Sequence, residues 1–204
     1  MAFYNVHTHR LRSHEVAIVQ AVDAPLKPFH SSGIHPWFAD SALLPSLEIA
    51  LEHPACKALG EVGLDRLKGP SMEIQRSVLE EQLCLAAKHH KPVIFHIVRA
   101  WEAFYTLQNA HQVTPWILHG FNQPKQFPRL LETPVYLSIG PSALSNPAMH
   151  PLLAKIPLNR LLLETDDSDE KIQSVYQRFC SLAGFDLVAL SPQIEQNFLA
   201  IFGP

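Results

Sequence analysis

Eight short apolar, β-branched runs recur along this chain with helical patterning between most of them, and no other feature constrains its fold so strongly. The runs are FYNVHT at 3–8, VAIVQAV at 16–22, FHSSGIH at 29–35, KALGEVG at 57–63, PVIFHI at 92–97, PWILHG at 115–120, PVYLSIG at 134–140 and RLLLETD at 160–166. Helical spacing falls between or after them at 41–53, 71–90, 100–111, 123–132, 147–155, 169–183 and 191–202. The clearest helix is 71–90: Ser71 can cap it, Leu79, Leu83 and Ala86 or Ala87 repeat at helical spacing, and Lys88 to Lys91 place positive charge at its C-terminus. Pro92 then ends the helix and opens the next strand.

Strand–helix alternation of this kind predicts parallel strands joined by crossover helices. Eight strands predict an α/β fold of the (β/α)8 TIM-barrel type, with an open doubly wound sheet as the alternative. A chain of 204 residues is short for a barrel that usually needs ~250. The shortfall lies between Arg10 and Phe29, where one strand fits but full helices on both sides do not. The expectation is a distorted barrel missing some outer helices near the N-terminus, built as one domain over 1–204.

With 47% hydrophobic residues the chain can bury a full core, and its formal charge of −3 argues against a polycationic nucleic-acid-binding tract. Cys56, Cys84 and Cys180 are odd in number, far apart and outside any CxxC, which suits reduced thiols. The N-terminus carries no basic segment followed by a long apolar core, and no apolar run approaches the ~20 residues of a membrane span. A cytoplasmic protein without a membrane partner is expected, with its oligomeric state open.

In a parallel barrel, functional side chains gather at the C-terminal ends of strands. Those ends hold His7 and His9, Glu61, His96, His119 and Asp166. A single histidine on an apolar strand is ordinarily a hydrogen-bonded core residue, and a single carboxylate a paired interior charge. Six such groups in an apolar interior are hard to satisfy without a cation, because unpaired buried charge costs several kcal/mol. Nitrogen and carboxylate oxygen without thiolate suit two divalent ions (Zn²⁺, Mn²⁺ or Mg²⁺) sharing one carboxylate. Strand alternation puts Glu164 on the side of Asp166 and Asp65 on that of Glu61; each is expected to orient a ligand or to make a structural hydrogen bond.

These segments resemble the TatD-type metal-dependent hydrolases of the amidohydrolase superfamily. The resemblance rests on VHTH at 6–9, GIHPW at 33–37, GEVGLD at 60–65, PVIFH at 92–96, ILHGF at 117–121, YLSIG at 136–140 and LLLETD at 161–166, in the family's order. NFLAIFG at 197–203 resembles the family's closing helix. The resemblance implies that His7, His9, Glu61 and Asp166 hold one metal and that Glu61 bridges to a second held by His96 and His119. It implies a catalytic role for Asp166 as proton acceptor and for Glu61, with hydroxide supplied at neutral pH by a metal-acidified water. His35 would sit near the substrate.

Three features depart from the family. HIVRA replaces its usual His-Ser-Arg-Asp-Ala, so that Val98 takes the arginine position and Arg99 the aspartate position. Asp167, Ser168, Asp169 and Glu170 follow LLLETD where a long substrate loop is usual, and the 10–29 segment is short. All three alter the rim that grips substrate and none touches the six ligands. The expected substrate is a phosphoester, either DNA, a nucleotide or a small phosphodiester, with Arg99, and also Arg10 and Arg12, as phosphate contacts. Acidic residues beyond Asp166 weigh against DNA. Hydrolysis of a C–N or C–O bond, and a metal-binding barrel without turnover, are the alternatives.

Overall fold

The computed structural model describes residues 2–10, 12–20, 29–111 and 115–203. Its strands are β1 (Tyr4–Thr8), β2 (Val16–Gln20), β3 (His30–Ser32), β4 (Cys56–Asp65), β5 (Val93–Val98), β6 (Trp116–Leu118), β7 (Tyr136–Ile139) and β8 (Leu161–Leu163). Its helices are α1 (Leu44–Glu52), α2 (Met72–Lys88), α3 (Trp101–Ala110), α4 (Phe127–Leu131), α5 (Pro141–Leu144), α6 (His150–Leu153), α7 (Ile172–Ala183) and α8 (Leu187–Phe202). The strands follow one another in chain order in the sheet, the order of a (β/α)8 fold.

Among the described residues no helix lies between β1 and β2, as the short 10–29 segment predicts. Residues 21 and 22 of the predicted second strand lie outside the described residues, as does the rest of 21–28. The third run is strand only over His30–Ser32, because Pro36 opens a 3₁₀ turn that His35 caps. The predicted helix at 169–183 begins at Ile172, and the short α5 carries no periodic signal long enough to be foreseen.

Residues 1–19 and 117–204 form one compact unit. In it β1 runs parallel to β2, and β6, β7 and β8 pair in parallel succession. Helix α8 starts at Asp186, whose carboxylate accepts from the Val188 and Ala189 amides, and its Asn197 amide donates to the Leu158 and Leu161 carbonyls at 2.7 and 2.8 Å. The entry to β8 and its first residue are thereby tied to α8. Helix α7 ends at Gly184, in the left-handed conformation (φ 75°) that glycine supplies most cheaply. Its Tyr176, wholly buried, takes the Tyr4 amide at 3.1 Å and donates to the Tyr4 carbonyl at 3.0 Å.

Residues 20–116 form the second unit. Here β3, β4 and β5 are parallel, and every residue of β4 but Lys57 is buried, as expected of a strand covered on both faces. Ser71 caps α2 by accepting from the Ile74 amide, and Val78, Leu79, Leu83 and Ala86 form its buried stripe. Gln75 and Gln82 lie on that same stripe. Gln82 brackets the peptide of Ile34, taking its N–H at 2.7 Å and donating to its carbonyl at 3.2 Å. Phe95, Phe104 and Trp116 pack ring to ring, with centroids 4.3–5.5 Å apart.

Candidate metal centre

In the unit that holds both chain ends, the backbone joins the end of β1 to the residues after β8. The Asp166 amide donates to the His7 carbonyl at 3.0 Å, and the His9 amide to the Asp166 carbonyl at 3.1 Å. Asn5 reinforces this seam: its side-chain carbonyl takes the Thr165 amide at 3.1 Å and its NH₂ donates to the Thr165 hydroxyl at 2.9 Å. That hydroxyl in turn reaches the hydroxyl of Thr8 at 3.1 Å. Asp166 itself is left-handed (φ 53°), a conformation that aspartate tolerates better than most residues.

With the backbone so held, one oxygen of Asp166 stands 3.4 Å from Nε2 of both His7 and His9. His7 is buried and its ring lies 4.5 Å from that of His119, centroid to centroid. Burial opposes ionisation of Asp166, but hydrogen bonds from His7 and His9 and the charges of His7 and His119 outweigh it and hold the carboxyl far below its usual range. Beside His119, Glu164 is fully buried. One of its oxygens accepts the Gly120 amide at 2.6 Å and faces His119 Nδ1 at 3.5 Å, while the other has no hydrogen-bond partner.

In the unit of residues 20–116, Glu61 is the hub. Its Oε1 is 2.8 Å from Nδ1 of His96 and 3.3 Å from Nε2 of His35. Its amide donates to the Gln20 side chain at 2.6 Å, which also accepts from the Ser31 hydroxyl. His35 Nδ1 accepts the Trp37 amide at 3.2 Å, so the neutral ring carries its proton on Nε2 and presents a donor, not a lone pair, to Glu61. Asp65, at the end of β4, accepts the Trp37 indole N–H at 2.6 Å and the Leu67 amide at 2.8 Å, and meets His96 Nε2 at 3.2 Å. Burial raises its pKa, but these hydrogen bonds and the charge of His96 prevail and lower it.

The donor chemistry fits divalent ions. His7, His9 and Asp166 offer ligand atoms within 4.8 Å of one another; in the other unit Glu61 and His96 do so, with His35 beside them as an N–H donor. Both groups are mixtures of imidazole nitrogen and carboxylate oxygen without sulfur; Glu61 and His7 are buried, whereas His9 is exposed. The six predicted ligands thus divide as His7, His9, His119 and Asp166 in one unit and Glu61 and His96 in the other.

The predicted phosphate contacts fare differently. Arg10 is paired with Asp169, and Arg12 donates to the Ser168 carbonyl at 2.8 Å, so both arginines fold onto the stretch that follows Asp166. Arg99 is exposed and left-handed (φ 52°), and its carbonyl accepts from Arg66. Sequence reasoning missed Asn5, Gln20, Trp37 and Gln75. Only Gln75 left a signal, as a polar residue on the apolar stripe of α2.

The sequence model of the family described as TatD related DNase matches residues 2–203. An uncharacterized metal-dependent hydrolase of Haemophilus influenzae is 28% identical over 85% of this chain and 78% of its own length. The 3'-5' ssDNA/RNA exonuclease TatD of Edwardsiella piscicida is 34% identical over 67% of this chain, a stretch that spans 56% of the exonuclease. The crystal structure of the TatD homolog YjjV from Escherichia coli superposes with a TM-score of 0.85 at 24% identity, covering 99% of this chain and 98% of that one, and shows the shared fold. Among the described residues no helix is long and apolar enough to cross a membrane.

Proposed function

Because the chain belongs to the TatD-related DNase family of metal-dependent hydrolases, we propose that it cleaves phosphodiester bonds, in a single-stranded nucleic acid or a smaller phosphate ester, within a single domain spanning 1–204. The observation that carries this reading is the convergence of imidazole and carboxylate on the two donor groups. The named activity of the Edwardsiella relative supports nucleic acid as substrate. His7, His9, His119 and Asp166, with Glu61 and His96, would hold two divalent ions, Zn²⁺, Mn²⁺ or Mg²⁺. When bound, such ions supply Lewis acidity toward a phosphoryl oxygen and a water acidic enough to ionise near neutral pH.

The chain's own groups do the rest. Asp166, with one oxygen 3.4 Å from both His7 and His9, is the carboxylate that would accept a proton from the attacking water. His35, with its proton on Nε2 by the geometry above, is suited to donate a hydrogen bond to a phosphoryl oxygen, which calls for an N–H rather than a lone pair. Arg99, exposed after β5, would meet a second phosphate oxygen. Glu164 orients His119 through the ring nitrogen it faces.

The test is turnover of bis(p-nitrophenyl) phosphate and of a 5′-labelled oligonucleotide by metal-reconstituted protein. Asp166→Asn and Glu61→Gln are each expected to lower kcat by ~100-fold or more. Wild-type turnover in both variants would overturn the assignment. Activity on amides or esters in place of either phosphodiester would move the reaction to C–N or C–O hydrolysis.

A further inference from the structure

Both carboxylate oxygens of Asp65 are engaged. Its Oδ1 takes the Leu67 amide, while Oδ2 takes the indole N–H of Trp37 at 2.6 Å and faces His96 Nε2 at 3.2 Å. Its peptide is held as well, since Gln75 accepts the Asp65 N–H at 2.8 Å and donates to the Asp65 carbonyl at 2.9 Å. The side chain is 4% exposed, so water does not compete for these positions. The carboxylate is therefore fixed in place and in rotation before His96 meets it.

His96 has two ring nitrogens, and the structure gives them different surroundings. Nε2 meets Asp65, and Nδ1 stands 2.8 Å from Glu61 Oε1, within the donor group that also includes His35. A carboxylate faces each ring nitrogen; with a cation on the Nδ1 lone pair beside Glu61, the ring's proton would stay on Nε2, where Asp65 accepts it and raises the basicity of the donating nitrogen. Trp37 fixes the carboxylate together with the Leu67 amide: the indole N–H holds Oδ2 while Leu67 holds Oδ1, so both oxygens are anchored on the protein side. That indole is itself braced, with the Lys68 ammonium 3.9 Å above its ring centre and the His35 ring against its edge at 4.7 Å.

We propose that Asp65 is a positioning residue, locked by Trp37, that commits His96 to bind metal through Nδ1 with its proton on Nε2. The proposal rests on the assignment of His96 as a metal ligand. It assigns Trp37, on the 3₁₀ turn of GIHPW, and Asp65, at the end of GEVGLD, to one device.

The experiment compares wild type, Asp65→Asn, Trp37→Phe and His96→Ala as full-length proteins. Zn²⁺ affinity is measured by chelator competition, the Co²⁺-loaded proteins by visible absorption, and the histidine tautomers of Zn²⁺-loaded protein by ¹⁵N NMR. Expected are an Nε2–H tautomer for His96 in wild type, Zn²⁺ affinity lower by ~10–100-fold in Asp65→Asn, and a smaller loss with a changed Co²⁺ spectrum in Trp37→Phe. Trp37→Phe keeps an aromatic ring and the Asp65 carboxylate, so it tests the lock even where Asp65→Asn does not fold.

If His96→Ala lowers metal affinity while Asp65→Asn and Trp37→Phe match wild type in affinity and spectrum, the positioning role is overturned alone. If His96→Ala changes neither quantity, the ligand assignment fails and takes the proposal with it. A His96 ring carrying its proton on Nδ1 in loaded wild type also overturns it. Absence of phosphodiester turnover leaves all three readouts standing and bears only on the reaction.

Discussion

At Gly63 one hydrogen stands where any side chain would strike backbone: an added Cβ would lie 1.9 Å from the carbonyl oxygen of His96, at a φ of 152°. Gly63→Ala is expected to cost on the order of 3 kcal/mol in urea unfolding, from strain and overpacking together. Because β4 must move away from His96, it should also weaken Zn²⁺ binding. A second residue-scale prediction concerns Tyr4, whose hydroxyl donates to Glu195 at 2.5 Å. That hydrogen bond, with burial and the Glu195 charge, pushes the phenol up to about 12. The folded state thus favours the protonated phenol. Its contribution is complete below the unfolded value of ~10 and is lost as pH rises through about 12. Tyr4→Phe should flatten the alkaline limb of stability against pH in denaturant titrations from pH 9 to 12.5; an unchanged limb would refute the pairing.

At the scale of elements, α2 is the clearest case. Leu79, Leu83 and Ala86 announce the helix by period alone, yet two glutamines on the same stripe decide what it holds. Gln75 binds the Asp65 peptide at both ends and also donates to the carbonyls of Lys68 and Pro70 at 2.9 Å. Gln75→Leu preserves the apolar stripe but strips partners from these buried groups, with an expected cost of ~2–4 kcal/mol. Hydrogen exchange should show the loss concentrated in residues 65–70, rather than along the helix. Uniform loss of protection along α2 would instead make Gln75 an ordinary packing residue. Asn197 of α8 does comparable work at Leu158 and Leu161.

For the whole molecule, the relevant measurement is how stability answers to metal. Free Zn²⁺ or Mn²⁺ at 100 times its Kd should stabilise the folded chain by ~2.7 kcal/mol, which raises Tm by roughly 5–10 °C for a chain of this size. Chelation should reverse the shift, and a melting curve indifferent to metal and chelator would remove the basis for two filled donor groups.

Much of this was legible in the sequence. The strand order and every strand bearing a predicted ligand follow from short apolar runs alternating with period-3.6 patterns, because strands covered on both faces read as near-continuous apolar runs and helices covered on one face carry the helical period. The side-chain types at the strand ends likewise name the donor chemistry, since nitrogen and oxygen in an apolar setting call for a cation. What only the tertiary structure decided is how those donors are aimed. Asn5 meets Thr165 across 160 positions of sequence, Gln20 meets Glu61 across 41, and Trp37 meets Asp65 across 28. A hydrogen bond between such partners requires one particular register of strands and loops and imposes no period on either segment, so it exists as information only once the chain has folded.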